Sequence, residues 1–230
     1  MLKRLLFLVF SLFFSAIYPN SLPLMVQFDK VETDLQHQDC SSGNFAFNRS
    51  PEIGPFFKML KDDFQITTVI ETGTFEGSTT AFFARTFEEV HTIDISQKYL
   101  NEAKERLSSF SNINFHLGSS QNVLSQILPA LKNKYVLFYL DAHWNEYWPL
   151  LDELEEINKT HHHQCIVVID DVKVPGRSDI PFDAYKGREC SFEYAKEKIE
   201  QLFDGYTMHY LIPANPQMRA KLILIPIQNR

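Results

Sequence analysis

Three aspartates stand at the ends of two apolar runs and are the residues best suited to chemistry. Asp141 follows the run 136–140, and Asp170 and Asp171 follow the run 165–169. Adjacent strands lie about 4.8 Å apart, so the carboxylates of neighbouring strands would repel one another unless a cation neutralised them. Oxygen ligands favour a hard ion, Mg²⁺ or alternatively Ca²⁺ or Mn²⁺. The sequence predicts a metal site at these aspartates, with ordinary loop and turn caps as the alternative.

A histidine lies two positions after the first of these acids. An imidazole with a pKa of about 6.5 can take a proton from a hydroxyl group at neutral pH. His143 and Asp141 are therefore the predicted catalytic residues, with His143 as the base. A structural histidine and a further metal ligand are the alternatives for His143. Trp144 and Trp148 could wall an aromatic or sugar ligand, although packing in the core explains them more simply.

A glycine-rich turn follows the first strong strand pattern and runs Glu71-Thr-Gly73-Thr-Phe75-Glu-Gly77-Ser78. Glycine lets the backbone turn tightly and lets a ligand contact bare amide groups. A dinucleotide fingerprint has its second glycine where Phe75 stands. A pyrophosphate ligand is therefore disfavoured, whereas a ligand without phosphates is not.

An acid and a small polar turn follow at the ends of the next two strand patterns. Asp94 lies 21 residues after Gly73, where a carboxylate can accept hydrogen bonds from both hydroxyls of a ribose. The turn Gly118-Ser119-Ser120-Gln121 could hydrogen-bond the edge of an adenine. Taken alone, each signal is explained by a tight turn or a helix cap. Their order and spacing together favour a nucleoside site.

The elements that must position these residues alternate between strand and helix patterns. Continuous apolar strand patterns lie near residues 68–71, 90–95, 113–117, 136–140 and 165–169. Amphipathic helices separate them, which is typical of a parallel sheet covered on both faces. The last two strand patterns have no room for a crossover helix between them and should pair antiparallel. The expected fold class is α/β.

The strings ETGTFEGS, HTIDIS, HLGSSQ, LDAHW and VVIDDVKVPG resemble the successive motifs of class I S-adenosylmethionine-dependent methyltransferases. The nearest likeness is to the metal-dependent small-molecule O-methyltransferases of the catechol and macrocin types. The resemblance implies a Rossmann-like fold: a seven-stranded, mostly parallel sheet with helices on both faces and one antiparallel strand. It also implies Mg²⁺-assisted methylation of a small hydroxylated acceptor.

The resemblance implies a role for each motif residue. The implied S-adenosylmethionine-binding residues are Glu71, Gly73, Gly77, Ser78, Asp94, Ser120 and Gln121, and the implied Mg²⁺ ligands are Asp141, Asp170 and Asp171. Glu71 and Gly73 would lie near the methionine moiety, and Gly77 and Ser78 would help to shape that end of the pocket. Asp94 would bind the ribose, and Ser120 and Gln121 would hold the adenine. The sequence departs from both types of O-methyltransferase at the position of the catalytic base. The catechol type has a lysine shortly after its first metal aspartate, and the macrocin type has a second acid where His143 stands.

Composition limits the partners. The chain has 230 residues, 44% of them hydrophobic, and a net charge of −7. A packed domain is therefore expected, whereas a nucleic-acid partner is not, because phosphate binding relies on clustered Lys and Arg. No oligomeric state is predicted.

The N-terminal segment has the pattern of a secretory signal. Lys3 and Arg4 precede an uncharged apolar stretch over residues 5–18. The predicted organisation is a signal peptide or signal-anchor over 1–20, a linker or flap with a lead-in helix over 21–63, and a methyltransferase domain over 64–230. The protein would then be exported or associated with a membrane through residues 5–18. Because S-adenosylmethionine is made in the cytosol, a location of the protein on the cytoplasmic side is the alternative.

Two other functions stay open at this point. One is a non-catalytic, membrane-tethered or exported nucleoside-binding protein, which the signal pattern favours. The other is an NAD-type Rossmann oxidoreductase, against which Phe75 argues.

Overall fold

The computed structural model describes residues 24–27, 46–143, 147–215 and 217–227. The strands are β1 Leu24–Gln27, β2 Thr68–Thr72, β3 Glu89–Asp94, β4 Ile113–Leu117, β5 Val136–Leu140, β6 Cys165–Val172, β7 Ala184–Tyr185, β8 Arg188–Glu189, β9 Tyr206–Ile212 and β10 Ala220–Pro226. The helices are α1 Gly54–Phe64, α2 Ser78–Thr86, α3 Gln97–Arg106, α4 Ser120–Leu131, α5 Leu150–His161 and α6 Phe192–Leu202. A helical turn at Ala46–Arg49 and a 3-10 turn at Pro51–Ile53 precede α1.

Within the described residues, the main sheet has the strand order β1-β9-β10-β6-β5-β2-β3-β4. Only β10 runs against its neighbours β6 and β9, and the other pairs are parallel. The seven strands from β2 to β10, without the short hairpin β7–β8, form the predicted mostly parallel sheet with one antiparallel strand. The predicted fold class is confirmed. The carboxyl ends of β2, β3, β5 and β6 meet at one edge, where open α/β sheets bind ligands.

The central strands are apolar throughout because helices cover both faces of the sheet. Strand β5 is entirely buried, and its residues alternate between two cores. Phe138 and Leu140 pack on the face covered by α4, α5 and α6, whereas Leu137 and Tyr139 pack on the face covered by α1 and α2. Burial from both sides fixes the position at which the strand ends, and therefore the position of the acid that follows it.

Two parts of the structure are absent from the sequence prediction. Strand β1 lies within the stretch 21–63 that was expected to be a linker or flap, and it pairs in parallel with β9. The hairpin β7–β8 lies in the loop after β6. Both are short, and neither shows a period long enough to be read from sequence.

The expectation of an exported or membrane-anchored protein is corrected. In the part of the chain that the structure describes, no helix combines the length and the apolar character needed to cross a membrane. The segment 1–20 on which the expectation rested lies outside the described residues.

Candidate active site

The glycine-rich turn lies against the end of the neighbouring strand. Gly73 has φ +87°, and a Cβ atom at this position would lie 2.6 Å from the carbonyl oxygen of Asp141. The Gly73 amide donates to the carbonyl of Ile93 at 2.8 Å. The turn is thus held between the tips of β3 and β5, and this close approach requires glycine.

Gly77 and Ser78 lie at the start of α2, behind the turn. Gly77 has φ +75° and is the N-cap residue of α2. A Cβ atom there would meet Leu107 at 3.0 Å and Ala103 at 3.2 Å, both on or next to α3. Neither Gly77 nor Ser78 lines the main cavity of the site. Gly77 therefore allows α2 to pack closely against α3, and its effect on a ligand is indirect.

Glu71 is buried beneath the turn. Its carboxylate accepts hydrogen bonds from the hydroxyls of Thr80 at 2.5 Å and Thr92 at 2.7 Å. Burial raises the pKa of Glu71 to about 7, and the two hydroxyl donors oppose the shift. Glu71 does not line the main cavity, so the structure gives it a supporting position behind Gly73.

Asp94 ends β3 and holds the loop that follows it. One carboxylate oxygen accepts from the backbone amide of Phe75 at 2.8 Å, and the other accepts from the amide of Ser96 at 2.7 Å. The side chain lines the main cavity. The structure therefore brings Gly73 and Asp94 to one cavity wall, as the predicted nucleoside site requires.

The main cavity has a volume of about 470 Å³ and extends along the carboxyl edge of the sheet. That volume lies within the usual range for small-molecule sites, about 300–1,000 Å³. The predicted site residues that line it are Gly73, Asp94, Ser120, Gln121, Asp141, His143 and Asp171. Among the described residues, the buried oxygen Gln121 Oε1 has no hydrogen-bond partner, whereas the hydroxyl of Ser120 lies beside the buried carboxylate of Glu153. An unpartnered buried polar atom is costly, so Gln121 Oε1 is suited to meet a polar group of a ligand.

The acidic cluster is smaller than predicted and includes the histidine. Ligand atoms of Asp141, His143 and Asp171 all lie within 4.8 Å of one another. Asp171 also accepts hydrogen bonds from Asn48 Nδ2 and from Arg219, each at 3.1 Å. Neither Asn48 nor Arg219 was expected from the sequence at this site.

Asp170, the third predicted metal ligand, does not lie in this group. One of its oxygens accepts from the ammonium of Lys221 at 2.6 Å, and the other accepts from the hydroxyl of Tyr139. Lys221 and Asp170 are both fully buried. The lysine neutralises this carboxylate, so Asp170 needs no metal ion for that purpose. The lone charge in the apolar run of β10 was the available signal for Lys221.

Burial and neighbouring carboxylates raise the pKa of both cavity acids. Burial, reinforced by Asp170 and Asp171, raises the pKa of Asp141 well above its usual value. Burial and then Asp170 raise the pKa of Asp171 to about 8, and Lys221 and Arg219 oppose this shift. A cation bound between Asp141 and Asp171 would favour the ionised form of both.

His143 is held at the mouth of the acid cluster. Its Nδ1 atom is hydrogen-bonded to the hydroxyl of Tyr185 at 2.5 Å. Its Nε2 atom lies 3.4 Å from a carboxylate oxygen of Asp183 and 3.9 Å from one of Asp171. Arg219 bridges Asp183 and Asp171, at 2.7 Å and 3.1 Å. The structure thus adds Tyr185 and Asp183 to the site.

Comparison with known proteins agrees with this geometry. Residues 70–172 match the model of a family described as a methyltransferase domain. No match was found among curated protein sequences.

Several solved structures share the fold. One is the O-methyltransferase TomG from Streptomyces achromogenes, which is involved in tomaymycin synthesis and was solved with S-adenosylmethionine. It is 17% identical to this chain, with a TM-score of 0.57, over 93% of this chain and 94% of TomG. An O-methyltransferase from Bacillus cereus in complex with S-adenosylhomocysteine is 19% identical with a TM-score of 0.57, over 82% of this chain and 87% of that one. The methyltransferase PaMTH1 from Podospora anserina is 14% identical with a TM-score of 0.55, over 86% and 89% of the two chains. At these identities the likeness concerns the fold.

The fold and the cavity edge define a class I methyltransferase arrangement. The part of this chain that matches the methyltransferase domain model runs from within β2 to the end of β6 and contains Asp94, Asp141 and Asp171. The predicted recognition as a class I S-adenosylmethionine-dependent methyltransferase, and the prediction of a methyltransferase enzyme, are confirmed at this level. The two alternatives from sequence, a dinucleotide oxidoreductase and a non-catalytic binding protein, are not favoured.

Proposed function

We propose that this enzyme transfers the methyl group of S-adenosylmethionine to an oxygen atom of a small hydroxylated acceptor, with the help of a divalent cation. The observation that carries the proposal is the common cavity of Gly73, Asp94 and the acid cluster. A nucleoside site and a site for an activated hydroxyl group would thereby be next to each other. The O-methyltransferases from S. achromogenes and B. cereus, solved with S-adenosylmethionine and S-adenosylhomocysteine, support this choice of reaction.

The cavity residues fit the nucleoside. Asp94 would accept hydrogen bonds from the ribose hydroxyls, since a carboxylate has lone pairs beyond those used by the two backbone amides. Ser120 and Gln121, which line the cavity, would face the adenine. Gly73 would leave room for the methionine moiety, with Glu71, Gly77 and Ser78 shaping the turn around it from behind.

The acid cluster fits a hard divalent cation. Asp141 and Asp171 would be its ligands, and Mg²⁺ would complete its shell with water and with the acceptor, since it usually keeps several oxygen ligands of this kind. Such an ion lowers the pKa of a bound hydroxyl group. Asp170 is left out of this ligand set because Lys221 and Tyr139 occupy its oxygens.

The chain's own residues would then align the reactants and move one proton. S-adenosylmethionine supplies the electrophilic methyl group. His143 would receive the proton of the acceptor hydroxyl, and Asp183 beside its Nε2 atom would stabilise the imidazolium. Methyl transfer is an in-line displacement, so alignment by the cavity walls would supply much of the rate enhancement.

Calorimetry with S-adenosylhomocysteine tests the nucleoside site. Asp94→Asn loses the charge and keeps only one of the two oxygens that accept from the amides of Phe75 and Ser96. Affinity should therefore fall roughly tenfold or more, the contribution of one charge-assisted hydrogen bond. Asp62→Asn, on the exposed side of α1, is the matched control and should bind like the parent. Equal affinity of parent and Asp94→Asn, with both folded by thermal unfolding, would remove Asp94 from the ribose role.

Manganese binding, followed by electron paramagnetic resonance, tests the metal proposal. The parent should bind Mn²⁺, and Asp171→Asn should weaken binding about tenfold or more, because one of two carboxylate ligands is lost. Asp179→Asn replaces an exposed acid paired with Arg177 and should change nothing. A parent protein that binds no Mn²⁺ at millimolar concentration would contradict the divalent-cation part of the proposal and leave the nucleoside part standing.

A further inference from the structure

A second cleft lies beside the candidate active site, and none of the proposed reactants accounts for it. It has a volume of about 230 Å³ and is lined by Trp148, Tyr185, Lys186, Arg188 and Tyr194. We call it the hairpin cleft, because three of its five residues come from the β7–β8 hairpin and the turn within it. Trp148 precedes α5, and Tyr194 lies in the first turn of α6.

Aromatic rings form the wall of the hairpin cleft. Trp148 and Tyr194 are stacked with ring centroids 4.7 Å apart and an interplanar angle of 3°. Tyr185 lies across from Trp148 at 6.1 Å and 47°. All three side chains are half-buried, so each keeps a part of its surface open. A planar ring can pack against such a preformed wall with little loss of side-chain entropy.

The rim of the hairpin cleft is cationic in a chain whose net charge is −7. Lys186 and Arg188 are exposed at the rim. The acid of the hairpin, Glu189, is paired with Lys173 at 2.6 Å. Among the described residues, Arg188 forms no ion pair, so its guanidinium is available to an anion. Guanidinium groups bind carboxylates and phosphates with paired hydrogen bonds.

The hairpin cleft adjoins the active site. Trp148 and Tyr185 line the cleft and also a small pocket that Asp141 and Asp171 line. The hydroxyl of Tyr185 is hydrogen-bonded to His143, the candidate base. A molecule seated in the cleft would therefore lie next to the acid cluster, with Tyr185 between them.

We infer that the hairpin cleft binds the non-reacting end of the methyl acceptor, and that this end carries an aromatic ring and an anionic group. The inference rests on the proposed function, since it specifies the acceptor of that reaction. The ring would lie against Trp148 and Tyr194, and the anion would pair with Arg188. The hydroxyl group to be methylated would then lie on the side of Tyr185 that faces His143.

Binding of phenyl phosphate, measured by calorimetry on the full chain, tests the inference. Phenol lacks the anion and inorganic phosphate lacks the ring, so each should bind at least fivefold more weakly than phenyl phosphate, as expected for loss of either stacking or a charged contact. The affinity for benzoate, measured in the same way, shows whether a carboxylate or a phosphate is the preferred anion. Phenyl phosphate that binds no better than phenol or than inorganic phosphate would overturn the inference.

Two variants locate the binding. Arg188→Gln should weaken phenyl phosphate about fivefold to tenfold and leave phenol unchanged, because only the charged contact is lost. Tyr194→Leu should weaken both aromatic probes. Lys196→Gln, an exposed residue of α6 paired with Glu200, is the matched control and should bind like the parent. Parent-like binding of phenyl phosphate by Arg188→Gln would overturn the inference.

The result is independent of the test of the nucleoside site. If S-adenosylhomocysteine binds and phenyl phosphate does not, the inference fails while the proposed function stands. If phenyl phosphate binds at Arg188 and S-adenosylhomocysteine does not bind, the proposed reaction fails, and with it the acceptor role of the cleft.

Discussion

Substitution of Gly73 tests the central geometric claim, that the turn after β2 is pressed against the tip of β5. Alanine at this position meets two separate obstacles. The backbone has φ +87°, and the added Cβ atom would lie 2.6 Å from the carbonyl oxygen of Asp141. An L-residue in the left-handed region costs about 1–2 kcal/mol, and overpacking against a fixed neighbour costs roughly 1–3 kcal/mol more. Gly73→Ala should therefore lose about 2–5 kcal/mol of unfolding free energy.

The chain provides a control that separates the two terms. Gly176 has φ +74°, and a Cβ atom there would meet nothing within 4 Å. Gly176→Ala thus pays only for the left-handed backbone, about 1–2 kcal/mol. The difference between the two variants isolates the contact with Asp141. Because the Asp141 carbonyl belongs to backbone, and not to a flexible side chain, it cannot move away without shifting the end of β5.

Urea denaturation of the parent and both variants measures these energies from the transition midpoints, provided that the m-values agree. A loss of 1 kcal/mol lowers the melting temperature by about 2–4 °C in a protein of this size, so thermal melts give an independent estimate. Equal losses for Gly73→Ala and Gly176→Ala would mean that the turn does not contact β5. The argument for one continuous cavity would then fail.

Two further predictions concern buried charges. Lys221→Met should lose about 3–5 kcal/mol of unfolding free energy, because the buried carboxylate of Asp170 loses its ion-pair partner. Lys221→Met combined with Asp170→Asn should recover part of that loss. If urea denaturation finds no recovery in the double variant, the two residues are not coupled. Glu71 has a pKa of about 7 in the folded chain and 4.5 as its ordinary value, so the unfolded state ionises first and stability is lost as pH rises between these values. Glu71→Gln removes the titrating group, so the variant should lose about 2.5 kcal/mol less unfolding free energy than the parent between pH 5 and pH 8. Thermal melts at both pH values test this. An equal drop in melting temperature for parent and variant would contradict it.

The sequence predicted the features that depend on local pattern. Strand and helix periods located β2 to β6 and the closing pair β9 and β10, because burial on both faces leaves an unbroken apolar run. Serine is a preferred N-cap residue, and Ser96 caps α3, where its hydroxyl accepts from the amide of Tyr99. Asp94 and Gly73 could be predicted to share a site, since parallel neighbouring strands end at the same edge of the sheet.

Partners that come from distant segments could not be predicted in this way. Asn48 reaches Asp171 from the turn Ala46–Arg49, where Phe47 is buried in an aromatic cluster with Phe57 and Tyr139. Tyr185 reaches His143 from a hairpin of four paired residues. Neither turn has a period, and only the packing of the whole chain places these side chains at the acid cluster.

The assignment of Asp170 could have been improved from sequence by the geometry of a strand. Side chains next to each other in a strand point to opposite faces of the sheet, so Asp170 and Asp171 were unsuited to share one ion unless the strand was irregular. The structure does have an irregularity in its pairing with β10, where Ala220 is paired with Val172 but Leu222 with Ile169. Asp171 has φ +57° at this bulge, which re-aims its side chain, as bulges near active sites commonly do. The result is a division of charge: Asp170 is neutralised by Lys221 within the fold, and Asp171 faces the cavity with Asp141.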